Sequence, residues 1–190
     1  MSQARPAVFL DRDGVLNRAL VRNGRPYPPA TIEEFEILPG VVEGLAALRE
    51  AGFLLIVVTN QPDVARGTQT REKIEEMHAR LLDVLDLDEI VACYEDGDDC
   101  PNRKPNPGMI LDAAERHDIA LEESFMVGDR WRDIEAGRRA GCRTVLINYA
   151  YDERSPSAPP DFTTANMVAA SEWIVDRSRK ERSHAGSLRS

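Results

Sequence analysis

Asp11 and Asp13 stand one residue apart where the apolar run Val8-Phe9-Leu10 ends, and Gly14 follows them. A strand alternates its side chains, but a chain that leaves the strand and turns at a glycine can aim both carboxylates into one pocket. Two such groups can divide a phosphoryl transfer between them. One attacks as nucleophile and helps hold a hard cation; the other, kept protonated by its neighbour's charge, serves as general acid and then as base. Alone, Asp-x-Asp-Gly is equally an ordinary polar turn, so its meaning depends on what accompanies it.

Three further groups follow in chain order. The run Phe53–Val58 ends at Thr59-Asn60-Gln61, which offers a hydroxyl, two amides and loop N–H groups to phosphate oxygens. Arg103-Lys104-Pro105 places two cations before a proline, and Lys104 is one of three lysines in the chain, a compact point charge suited to phosphate or carboxylate. Phe125-Met126-Val127-Gly128 leads into Asp129, with Asp133 four residues on, so both face one side of a starting helix. Asp129 can complete a magnesium site with Asp11, and Asp133 can orient other groups from behind.

The elements that must position these residues alternate. Apolar runs and helical periodicity predict strands at 7–10, 53–58, 90–93, 125–128 and 143–147, with helices at 41–51, 70–84, 107–117 and 131–140. This is the pattern of an α/β, Rossmann-like, doubly wound parallel sheet covered by helices on both faces. Ligands in such sheets gather beyond the carboxyl ends of the strands, where Asp11, Thr59 and Asp129 all fall. Gly52 sits where a helix C-cap belongs, Thr70 opens a charged helix, and His78 and His117 read as polar-face and helix-end residues without a catalytic role. The motif intervals leave no room for a separate cap domain. Residues 1–179 are expected to form one domain, with Phe162 in a short strand, a helix over 165–177, and a disordered polar tail over 180–190.

These motifs resemble those of the haloacid dehalogenase (HAD) superfamily over residues 7 to about 150. Within it, Phe9-Leu10-Asp11-Arg12-Asp13-Gly14, Val58-Thr59-Asn60-Gln61, Ala65-Arg66-Gly67, Arg103-Lys104-Pro105-Asn106-Pro107-Gly108-Met109 and Val127-Gly128-Asp129 are similar to the branch of small phosphatases acting on heptose bisphosphate and histidinol phosphate. The resemblance implies that Asp11 forms an aspartyl-phosphate, while Asp13 protonates the leaving group and then activates water. It also implies that Thr59 and Lys104 hold the phosphoryl oxygens, and that Mg²⁺ is held by Asp11, the Asp13 carbonyl and Asp129. Asn60, Gln61 and Arg103 join Thr59 and Lys104 as expected substrate contacts.

Two departures stand out. Members of this branch often carry a zinc loop before Arg-Lys-Pro, but the corresponding pairs here are Cys93-Tyr94-Glu95 and Cys100-Pro101-Asn102, each lacking a ligand. Two thiols, a glutamate and an amide are a poor tetrahedral set, so no zinc is expected. The flap between Asn17 and Phe35 is long and carries Arg18, Arg22, Arg25 and Tyr27, any of which could meet a second phosphate or a sugar ring or simply face solvent. Arg66, Arg130 and Trp131 are candidates for the pocket rim.

A net charge of −9 disfavours nucleic acid and anionic membranes while leaving a small phosphorylated metabolite acceptable. The N-terminus lacks a signal-peptide core, no apolar run reaches membrane-spanning length, and the three cysteines form an odd set, so a cytoplasmic monomer or weak homodimer is expected. The expected activity is Mg²⁺-dependent hydrolysis of a phosphosugar, with heptose bisphosphate first. Histidinol phosphate, a polynucleotide 3′-phosphate, and a catalytically silent binding module are the alternatives.

Overall fold

The computed structural model describes residues 4–187. Its strands are β1 (Ala7–Leu10), β2 (Leu20–Arg22), β3 (Arg25–Tyr27), β4 (Leu54–Asn60), β5 (Glu89–Cys93), β6 (Phe125–Gly128), β7 (Arg143–Ile147) and β8 (Phe162–Thr164). Its helices are α1 (Val41–Glu50), α2 (Arg71–Val84), α3 (Gly108–His117), α4 (Trp131–Ala140) and α5 (Met167–Ser187). Six strands form one sheet in the order β5-β4-β1-β6-β7-β8, and every pairing in it is parallel. A wholly parallel sheet needs cover on both faces, and the sequence of β1 and β4 supplies two apolar faces by alternation. Val8, Leu10, Leu55 and Val57 pack in a core with Leu45 and Leu48 of α1 and Ala170 and Ile174 of α5. Ala7, Phe9, Leu54, Ile56 and Val58 face a second core with Met109, Ile110 and Ala113 of α3 and Ala136 of α4.

The chain starts at the centre of the sheet, builds outward through β4 and β5, then returns to β1's other side with β6. The crevice of a doubly wound sheet opens where the connections diverge. Here that places the carboxyl ends of β4, β1 and β6 side by side. No separately folded cap stands between the motifs among the described residues. The insertion after β1 is an antiparallel hairpin, β2 paired with β3, where sequence alone indicated a flap without assigned structure.

Two expectations are corrected. His78 is not a polar-face residue: it is buried with Ile74, Met77 and Leu81 on the inner side of α2, because positions 74, 78 and 81 share a helical stripe. The expected tail from 180 is helical to Ser187, the rest lying outside the described residues. Glu181 anchors that continuation, pairing with Arg177 and, across the fold, with Arg143 of β7, both at 2.6 Å. No helix of the described residues is long and apolar enough to cross a membrane.

Candidate active site

β1 delivers Asp11, whose N–H donates to the Val127 carbonyl of β6 at 2.9 Å. The backbone then doubles back. Leu16 and Asn17 donate their N–H groups to the Arg12 carbonyl, and Gly14, with φ of 90°, makes the turn. A side chain at position 14 would overlap the Asp129 carboxylate, so glycine is required both for the turn and for the approach of β6. Gly128 permits a second close approach: a Cβ there would strike Asp133.

Lys104 is the hub. Its ammonium lies 2.6 Å from Asp11 Oδ1 and 2.6 Å from Asp133 Oδ1, and all three side chains are buried. Burial opposes the charge on Lys104, but the two carboxylates outweigh it and its pKa is raised. Burial pushes Asp11 up to about 6, partly offset by Lys104 and reinforced by Asp133 and Asp13. Asp129 is raised well above the carboxylate range, again chiefly by burial and then by Asp11 and Asp133.

Asp13 is met by donors on every contact. Arg12 reaches it through Nε and Nη2, the closest at 2.9 Å, Asn17 Nδ2 at 2.9 Å and Gln61 Nε2 at 2.9 Å. Arg12 is wholly buried, which fixes the Asp13 carboxylate from below. Arg12 and Asn17 were not singled out from the sequence. The available signal was Asn17, four residues after Asp13 and directly after the apolar pair Val15-Leu16; Arg12 gave none, since strand alternation points it away from its neighbours.

The structure therefore brings Asp11, Asp13, Thr59, Asn60, Gln61, Lys104 and Asp129 to one place. Gln61 and Asn60 are used inside the protein. Gln61 donates to both Asp13 and Thr59, and Asn60 clamps the Lys104 peptide from both sides, at 2.9 and 3.0 Å. Buried amides must find partners, and Gln61 finds them in the side chains of Asp13 and Thr59, Asn60 on the Lys104 backbone. Thr59 accepts from Gln61, so its own hydroxyl proton stays free for a phosphoryl oxygen. Arg103 lines the cleft, but its guanidinium is held by Asp98 at 2.6 Å and Asp96 at 3.0 Å.

The donor set fits a hard divalent cation. Asp11, Asp129 and Asp133 place carboxylate oxygens within 4.8 Å of one another. Asp133 is already committed, to Lys104 and to the Arg130 N–H. Asp129 is less so: both of its oxygens are buried and neither makes a hydrogen bond of regular geometry, the Tyr151 hydroxyl being the side-chain donor that lowers its pKa. A buried carboxylate with so little hydrogen bonding is costly, and an oxygen-ligated cation such as Mg²⁺ removes that cost. Cys93 and Cys100 lie with sulfurs 3.7 Å apart, and among the described residues no third His, Cys, Asp or Glu gathers with them.

A parallel sheet that gathers two carboxylates beyond β1, one beyond β6 and a buried lysine into one cleft defines a phosphoryl-transfer hydrolase of the HAD class. Residues 101–170 match the family model described as HAD-hydrolase-like. The D-glycero-D-manno-heptose-1,7-bisphosphate 7-phosphatase of Thermosynechococcus vestitus is 33% identical, over 90% of this chain and 95% of its own. The D-glycero-beta-D-manno-heptose-1,7-bisphosphate 7-phosphatase of Yersinia pestis is 36% identical over 93% of each. A crystal structure of D,D-heptose 1,7-bisphosphate phosphatase from B. bronchiseptica, complexed with magnesium and phosphate, superposes with a TM-score of 0.72 at 28% identity, covering 90% of this chain and 99% of that one. The chain belongs to the heptose bisphosphate phosphatase family of the HAD-like hydrolases.

Proposed function

We propose that the protein removes the 7-phosphate of D-glycero-D-manno-heptose 1,7-bisphosphate with Mg²⁺ as cofactor. The observation that carries the phosphoryl-transfer reading is the Lys104 bridge between Asp11 and Asp133 beside the buried carboxylate of Asp129, and the likeness to the heptose bisphosphate phosphatases supports the substrate. Four carboxylates, Asp11, Asp13, Asp129 and Asp133, meet only two cations, Lys104 and Arg12, among their direct partners. Asp11, Asp129 and the Asp13 carbonyl would hold Mg²⁺. When bound, the ion neutralises that excess charge and stabilises charge developing on the transferred phosphoryl oxygens.

Asp11 attacks phosphorus, forming the aspartyl-phosphate as the bond to the sugar oxygen breaks. Asp13 gives the departing oxygen a proton, then takes one from the water that attacks phosphorus, and Asp11 is regenerated as phosphate leaves. Arg12, Asn17 and Gln61 keep Asp13 aimed through both steps. Thr59 and Lys104 hold the phosphoryl oxygens, and Arg103 forms part of the substrate wall. The substrate is a small metabolite, not a polymer, given the chain's net charge of −9. Three free cysteines suit a reducing, cytoplasmic setting. No structural zinc is expected at Cys93 and Cys100; stoichiometric zinc in the purified protein would contradict this.

The test is phosphate release with Mg²⁺ from both anomers of heptose 1,7-bisphosphate and from histidinol phosphate, by wild type and Asp11→Asn. Strong, Asp11-dependent turnover of a heptose anomer is expected. Faster turnover of histidinol phosphate would overturn the substrate assignment.

A further inference from the structure

The mouth of the site is a cleft of about 460 Å³ with an arginine-rich wall. Most of those arginines are neutralised. Arg66 pairs with Asp63 and Asp96, Arg103 with Asp96 and Asp98, and Arg132 with Asp98, so three arginines and three aspartates balance in one network. Arg130 pairs with Glu153. Two cationic side chains of the wall differ. Among the described residues, neither Arg25 of the hairpin nor Arg154 of the loop after β7 has a carboxylate within ion-pairing distance.

Arg154 is held in place by stacking, and the backbone beside Arg25 by a hydrogen bond. The Arg154 guanidinium stacks 3.5 Å from the centre of the Trp131 ring, and that of Arg132 lies 4.6 Å from it. A guanidinium lying on an aromatic face keeps its N–H groups at its edge, free for a bidentate acceptor. The hairpin tip is tied to the same loop, since Asp152 donates its N–H to the Gly24 carbonyl at 2.8 Å, and a side chain at Gly24 would press on Asp152. That tie sets Arg25 and Arg154 on the wall of one cleft, with Asp11 and Lys104 at its floor. Burial and the neighbouring Arg103 and Arg130 lower the pKa of Arg132, a sign of positive crowding along this wall.

We propose that Arg154, stacked on Trp131, and Arg25 form the subsite that holds a second anionic group of the substrate, at a distance from the phosphate being cleaved. This rests on the phosphosugar reading given above but assigns specificity to residues outside the catalytic motifs. Arg103 is anchored beside Lys104, but its charge is already answered by two aspartates. A phosphate bound at Arg154 and Arg25 meets two cations without having to displace a carboxylate, and it gains charge-assisted hydrogen bonds.

The experiment compares kcat/KM on matched pairs: heptose 1,7-bisphosphate against heptose 7-phosphate, and fructose 1,6-bisphosphate against fructose 6-phosphate. Proteins are wild type, Arg154→Gln, Arg25→Gln and Arg103→Gln. The bisphosphate-to-monophosphate preference is expected to fall by about tenfold or more in Arg154→Gln and Arg25→Gln, through KM. Arg154→Lys, which keeps charge but not the planar fork, is expected to restore only part of it. Equal losses on both members of each pair, no wild-type preference in either pair, or a preference erased only by Arg103→Gln would overturn the proposal. If wild type ignores both heptose compounds while the fructose preference depends on Arg154, the heptose reading fails and the subsite stands.

Discussion

The Lys104 ammonium lies 2.6 Å from Asp11 Oδ1, joining residues 93 positions apart in a buried pair. Taking charges out of water is costly, and removing one partner of such a pair strands the other. Lys104→Met is therefore expected to cost about 3–5 kcal/mol of stability in metal-free protein as well as most of the activity. Urea denaturation of Lys104→Met, Asp11→Asn and the double variant checks this. Asp11→Asn is expected to be more favourable in the Lys104→Met background than in wild type, because there it removes a stranded Asp11 charge. Strict additivity would mean the pair is not coupled.

Asp11 titrates at about 6 in the folded protein, raised by burial, against an ordinary value of 3.8. Between these values the folded state binds the extra proton. The resulting stability is fully present below about pH 4 and is lost as pH rises through about 6, at most about 3 kcal/mol. In EDTA, the stability of wild type relative to Asp11→Asn is expected to decline over that window. Excess Mg²⁺ at pH 7.5 is expected to raise the melting temperature of wild type but not of Asp129→Asn. A pH-independent difference, or equal Mg²⁺ stabilisation of Asp129→Asn, would refute the assignment.

Arg12 donates through two nitrogens to Asp13 from a fully buried position. Lysine cannot reproduce that fork. Arg12→Lys is expected to lower kcat by roughly 10–100-fold with KM little changed, since misplacing a catalytic group by an ångström costs on that order. Steady-state kinetics on the preferred substrate decides it, and a loss confined to KM would count against a role at Asp13.

Gly14 combines a left-handed backbone, φ 90°, with direct contact against Asp129. Gly14→Ala must either displace Asp129 or distort the turn, so both Mg²⁺ affinity and thermal stability are expected to fall. Calorimetric Mg²⁺ titration measures the first. Wild-type Mg²⁺ affinity in Gly14→Ala would show that the approach of β6 to the turn is not critical.

What could be read from sequence was whatever sits at a strand end. Asp11, Thr59 and Asp129 each follow an apolar run, and the parallel sheet aligns those ends without further instruction. Lys104 was legible from its rarity and its proline, although its two carboxylate partners were not. Arg12 was hidden because strand alternation points it away from Asp11 and Asp13, whereas the turn at Gly14 folds it back beneath Asp13. His78 was misread because its charge type outweighed its spacing from Ile74 and Leu81. The Trp131–Arg154 stack joins α4 to an irregular loop, and neither periodicity nor motif spacing speaks to such a contact. The helix past residue 180 pairs through Glu181 with Arg143, a partner on a distant strand that local sequence does not reveal.

Acid quench of enzyme in excess over substrate carrying radiolabelled phosphate at the cleaved position tests the central claim most directly. Peptide mapping is expected to find acid-stable label on Asp11 within the first turnover in the presence of Mg²⁺. It is expected to find none in Asp11→Asn and a longer-lived label in Asp13→Asn, which lacks the base for the second step. Label on another residue, or full phosphate release by Asp11→Asn, would contradict the account.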